Sequence, residues 1–95
     1  MKLRFYTDLE TGLPHIYKHG VREVEVEQVL RHPGEDRPGA NDSRIAFGRT
    51  ESGRCLRVIY VPDTEPDSCF VITAYDLEGK PLAAYRRRLR RKGIS

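Results

Sequence analysis

Lys18, His19, Arg49, Arg54, Arg57 and Tyr75 are the residues of this chain whose types suit chemistry on a phosphodiester. Metal-free cleavage of RNA needs a base at the 2′-hydroxyl, cations at the phosphate and an acid at the leaving oxygen. Lys, His, Arg and Tyr side chains fill those roles. The set acquires meaning only if the fold brings it together. A second cationic group closes the chain: Tyr85 to Lys92 reads YRRRLRRK and holds six of the seventeen Lys and Arg residues. The net charge is only +3, so the rest of the chain is acidic on balance. Charge concentrated in this way attracts polyanions, nucleic-acid phosphate foremost, and Arg86, Arg87, Arg90 and Arg91 join Arg49 as nucleic-acid-binding candidates.

Other chemistries find less support. His15 and His19 stand four apart, a spacing that places two zinc ligands on one helical face. No third ligand follows at a suitable spacing, so neither metal nor cofactor is expected. There is no dinucleotide fingerprint, P-loop or nucleophile elbow. Cys55 and Cys69 form no metal motif and no disulfide framework. The chain has no membrane-length apolar run and no signal-peptide pattern, which makes the cytoplasm the expected compartment and a membrane an unexpected partner.

Ninety-five residues, 38% hydrophobic and 33% charged, are expected to form one domain, 1–95, with a modest core. Leu3–Thr7 reads as a short strand with Leu3 and Phe5 on one face. Asp8–Gly20 reads as a helix, interrupted early by Gly12 and Pro14 and stopped by Gly20. Residues 21–32 fit both a strand, through alternating Glu and Val, and a helix. The run continues to Arg31 and ends before Pro33, which favours helix. Gly34–Asn41 reads as an exposed loop.

Three strands follow, Ser43–Thr50, Arg54–Val61 and Ser68–Tyr75. Antiparallel hairpins pairing Phe47 with Leu56, Ile45 with Val58, Val58 with Ile72 and Tyr60 with Phe70 gather one apolar face: Ile45, Phe47, Leu56, Val58, Tyr60, Phe70, Ile72 and Ala74. The other face carries Arg44, Ala46, Gly48, Cys55, Arg57, Ile59, Val71, Thr73 and Tyr75, with Arg57 flanked by Ala46 and Thr73. A cation in mid-sheet calls for a carboxylate, open water or an anionic ligand. The same register sets Cys55 and Cys69 about 20 Å apart along the strands, too far for a disulfide. Pro81 then suits the first turn of a last helix. Leu82, Tyr85 and Leu89 make its apolar stripe, with Arg86, Arg87, Arg90 and Arg91 largely off it.

Lys18-His19-Gly20-Val21, the helical run behind it, Gly48-Arg49-Thr50, Gly53-Arg54 and the strands LRVIYV and VITAY, in that order and spacing, resemble the BrnT-like toxins of the RelE superfamily and their single-domain relatives. The likeness runs from about Leu3 to Arg88. It implies an α+β fold: a small antiparallel sheet, a three-stranded meander plus the N-terminal strand, packed with two N-terminal helices and a basic C-terminal helix. It also implies a metal-independent endoribonuclease of a bacterial toxin–antitoxin pair, with RNA and an antitoxin protein as partners. Lys18 and His19 match the family's basic pair, and Arg54 its Gly-Arg turn. With Arg57 and Tyr75 they form the expected catalytic set. The toxins place a Glu-Arg pair before the first hairpin strand, where this chain has Asn41-Asp42-Ser43-Arg44. They end the last strand in Ile-Ser-Ala-Arg, where this chain has Ile72-Thr73-Ala74-Tyr75. A non-catalytic RNA- or ribosome-binding module, or a protein docking an acidic partner or a second copy of itself, accounts for the same basic helix.

Overall fold

A computed structural model describes residues 1–93. It is an α+β fold with a five-stranded mixed sheet and two α-helices. In chain order the elements are β1 (Lys2–Phe5), a 3-10 turn (His15–His19), α1 (Glu23–Arg31), β2 (Glu35–Pro38), β3 (Arg44–Arg49), β4 (Cys55–Pro62), β5 (Ser68–Asp76) and α2 (Gly79–Arg91). The strand order is β1-β5-β4-β3-β2. β1 runs parallel to β5, and the other neighbours are antiparallel.

The three central strands and both α-helices occupy the expected stretches. Three expectations fail. The Gly34–Asn41 segment is not all loop, because Glu35–Pro38 forms the edge strand β2. An edge strand is paired on one side only, so Asp36 and Arg37 reach water while Glu35 is buried against α2, and its Pro loses no ladder bond. The Asp8–Gly20 helix shrinks to the 3-10 turn, because Thr7 and Pro14 pair as a β-bridge and tie off the residues between them. The sheet is mixed rather than antiparallel, since β1 returns beside β5.

The registers also differ. Ala46 faces Val58 and Phe47 faces Arg57, one residue off the expected pairing. The β3–β4 turn holds three residues, not four: the Thr50 backbone N–H donates to Arg54 O, and Gly53 takes φ +92, where a side chain would be strained. On the other side Val58 faces Ala74, not Ile72, and a bulge interrupts the ladder at Ile59/Tyr60. The bulge inserts Ile72 as the extra residue and lets Val71 and Ala74 both face the core. A uniform alternation cannot anticipate either irregularity.

The sheet therefore has one closed face. Ala46, Leu56, Val58, Tyr60, Val71 and Ala74 pack there against Ile16, Val21, Val26 and Val29, with Leu3 and Phe5 beside them. α1 lies so close that a Cβ on Gly48 would sit 2.9 Å from Val29 Cγ1. Phe47 and Ile45 turn to the opposite face. There they meet Leu77, Leu82, Tyr85 and Leu89 in a smaller cluster under α2. Ala46, Gly48 and Val71 leave the second face for the core. Cys55 and Cys69 are free thiols near opposite ends of β4, Cys69 facing Pro62.

Candidate functional site

Arg54, just before β4, is fully engaged. Its guanidinium donates to both oxygens of Asp76 at 2.5 and 3.0 Å, to Glu25 Oε1 at 3.1 Å and to the carbonyls of Gly20 and His19 at 2.8 and 3.3 Å. Glu25 is buried and also accepts the Arg22 backbone N–H at the start of α1. The Arg54 hydrogen bond holds Asp76 below the ordinary carboxylate range, and the Asp76 bond raises Arg54. This knot ties the end of the 3-10 turn, α1 and β5 together. A phosphate at Arg54 would have to displace its carboxylates.

Arg57, in mid-β4, is the reverse case. It points to the open face between its cross-strand neighbours Phe47 and Tyr75, not between Ala46 and Thr73. Its guanidinium carbon lies 5.9 Å from the Phe47 ring centre and 5.8 Å from that of Tyr75. Its Nε is buried without a hydrogen-bond partner among the described residues. Arg37 and Arg88 approach the same Phe47 ring at 4.9 and 5.8 Å. Arg88 is neutralised by Glu35 through two bonds, the longer 3.0 Å, but Arg37 is exposed. Each cation gains from the ring's quadrupole, yet none satisfies another's charge.

Beyond Tyr75 the row continues through rings. Tyr75 and His19 are 5.7 Å apart by ring centres, His19 and His15 5.2 Å, and His15 and Tyr6 6.0 Å. The geometry follows from the short β1. That strand stops at Phe5, β5 runs on to Asp76, and the 3-10 turn packs beside the uncovered half of β5. Ile16 enters the core, and His15 and His19 meet Tyr75. These rings line an open hollow of about 490 Å³ floored by Ile72 and Thr73. Thr73 Oγ1 is buried there without a partner.

His15 Nδ1 lies 2.9 Å from Asp8 Oδ1, and Lys18 Nζ lies 3.6 Å from Asp8 Oδ2. The His15 bond, followed among the favourable causes by the Lys18 charge, holds the Asp8 carboxyl below its usual value against partial burial, which pushes it up. A carboxylate on Nδ1 fixes the imidazole's orientation and favours the tautomer with Nε2 free to accept a proton.

Of the expected catalytic residues, Lys18, His19, Arg57 and Tyr75 therefore fall on or beside one row, and Arg54 belongs to the knot behind it. The basic candidates divide by helical geometry. Arg86 and Arg90 line a groove with Arg49 on one flank of α2. Arg91 lies with Arg88 and Lys92 near Arg37 on the other flank. Arg87 is exposed and lines neither. Sequence reasoning considered His15 only as a metal ligand and missed Asp8, Tyr6, Arg37 and the place of Phe47. Asp8 precedes His15 by seven residues, and only the Thr7–Pro14 bridge reveals that they touch.

Residues 15–76 match the family model DUF4258, a domain of unknown function. The chain belongs to the DUF4258 family. No curated protein and no solved structure matches it. The DUF4258 segment takes in His15, Lys18, His19, Arg54, Arg57 and Tyr75. It leaves out Tyr6 and Asp8 on one side and all of α2 with its arginines on the other. The row thus spans the edge of the DUF4258 match, and the basic helix lies outside it.

Proposed function

We propose that this chain is a metal-independent endoribonuclease of the BrnT-like, toxin–antitoxin kind, which lays single-stranded RNA across the open sheet face. One observation carries the reading. Arg57 is a half-buried cation that no described carboxylate neutralises, held between two aromatic rings, and the row continues through His19 to His15, which a carboxylate orients. Rings accept bases by stacking, and guanidinium groups accept phosphate. His15 takes the proton of a 2′-hydroxyl, whose oxygen attacks the phosphorus. The bond from phosphorus to the 5′-oxygen breaks, and that oxygen takes a proton from His19 or Tyr75. The products are a 2′,3′-cyclic phosphate and a 5′-hydroxyl end. Lys18, beside the Asp8 that orients His15, meets the charge that builds on the scissile phosphate, and Arg57, further along the row, holds a neighbouring phosphate of the strand.

The resemblance to the toxins supports this reading at Lys18 and His19. It makes an antitoxin protein, covering the open face, the expected partner. A second reading keeps the RNA and drops the cleavage. It is favoured by Arg54, which is wholly occupied by carboxylates and carbonyls, and by the exposed Arg86, Arg87, Arg90 and Arg91 along α2. Incubation with labelled RNA in EDTA separates the two. Cleavage by the wild type that His15→Ala and Arg57→Ala abolish supports the nuclease. Salt-sensitive retention without product supports the binding module, and neither retention nor product removes both.

A further inference from the structure

The groove on the far flank of α2 makes a second site of different character. Its volume is about 520 Å³, within the range of small-ligand pockets. Tyr85, Leu89 and Cys55 supply an apolar floor, and Gly34 leaves the floor open, since a side chain there would collide with Tyr85 and Leu89. Arg49, Arg86 and Arg90 stand exposed around it, and no ion pair among the described residues engages any of the three. Arg88, two residues from both Arg86 and Arg90, is turned to the other flank and spent on Glu35. The groove is therefore separated from the Arg57 row by the body of α2.

We propose that this groove binds a nucleotide-sized phosphate ester: a heterocyclic ring against Leu89 and Cys55, its phosphate on the guanidinium groups of Arg49, Arg86 and Arg90. Planar guanidinium forks match phosphate oxygens in pairs. Bare inorganic phosphate gains nothing from the apolar floor, and an uncharged ring gains nothing from the rim. The combination selects a ligand carrying both. A free nucleotide and the phosphorylated end of a nucleic-acid strand share that chemistry. The site does not depend on the ribonuclease reading, because none of its residues belongs to the Arg57 row.

The two thiols supply the test. Cys55 lies in the groove, and Cys69, near the other end of β4, is an internal control. Alkylation by iodoacetamide is followed at each cysteine by mass spectrometry, with ADP, with inorganic phosphate, and with a short RNA bearing or lacking a terminal phosphate. ADP slows alkylation of Cys55 and leaves Cys69 unchanged, and inorganic phosphate does neither. Protection by the phosphorylated RNA, but not by its unphosphorylated form, adds strand ends as a natural ligand; protection by ADP alone assigns the site to free nucleotides. Arg86→Ala and Arg90→Ala each weaken the protecting affinity about tenfold, the loss of one charge-assisted hydrogen bond. Lys80→Ala removes a positive charge on α2 outside the groove and leaves it unchanged. Cys55 unreactive in the free protein, no protection by ADP, or equal weakening by Lys80→Ala would overturn the proposal.

Discussion

Arg54 and Arg57 stand close together in one stretch of chain, and they show what a buried guanidinium does with and without carboxylates. Arg54 faces the side closed by α1 and is surrounded by Asp76, Glu25 and two carbonyls. Arg57 faces the other side, between the Phe47 and Tyr75 rings, and no carboxylate among the described residues pairs with it. The first arrangement spends the charge on holding the fold. The second leaves it available for an anion from outside. A cation in a sheet is thus evidence of function only once its partners are known.

The contrast makes quantitative predictions. Arg54→Ala carries the largest cost, because it leaves the buried Glu25 carboxylate with Arg22 alone and frees Asp76 of its bidentate partner. Discounted for the partial exposure of Arg54, the loss is about 2–3 kcal/mol in urea unfolding. A loss below the level of a surface pair would mean that the knot is ornamental. Gly48→Ala tests how tightly the opposite face is closed. The new methyl group must push Val29 aside, at about 1–3 kcal/mol by the same measurement. An unchanged midpoint would show slack between α1 and β3.

Glu35 joins the two regions, since it anchors α2 beside the open face. Its carboxyl is held below the usual 4.5 first by the Arg88 hydrogen bond, and then, against burial that raises it, by the Arg88 and Lys92 charges. A folded value below the unfolded one means that its contribution is complete above the unfolded value. The contribution is lost as the pH falls through the folded value. Glu35→Gln should cost about 1 kcal/mol at neutral pH. The gap between wild type and variant should close on acidification below about pH 4.5. A gap that widens in acid would reverse the assigned sign.

The sequence marks these two arginines unequally. Strand positions, α1 and α2 follow from periodicity and from Gly20, Pro33 and Pro81. Leu82, Tyr85 and Leu89 do face the sheet together. Arg57, Thr73 and Tyr75 do share a face, because strand alternation fixes it, but how much of that face α2 covers is set by long-range packing that leaves no local pattern. The partners are another matter. Phe47 moved beside Arg57 because Gly53 shortens a turn by one residue, and Val71 moved away because a bulge adds one. One residue of slip exchanges the faces of a strand, so errors in loop length become errors in neighbours. Arg54's carboxylates come from α1 and from the end of β5, and long-range ion pairs leave no local pattern. β2 was hidden by composition, because an edge strand pairs on one side only and tolerates charges and a Pro.

Arg57→Ala should have the smallest effect on stability, within about 0.5 kcal/mol, since the ring contacts it gives up are offset by relief of its buried, unpartnered Nε–H. Its effect on RNA decides whether Arg57's charge is a phosphate contact of this face. The measurement is RNA retention and cleavage in EDTA across a salt series, for wild type and Arg57→Ala side by side. The variant should fold as the wild type does, yield no product, and show a slope of log affinity against log salt shallower by about 0.7, one phosphate contact on a single strand. An equally folded variant with unchanged slope and unchanged product would contradict that contact.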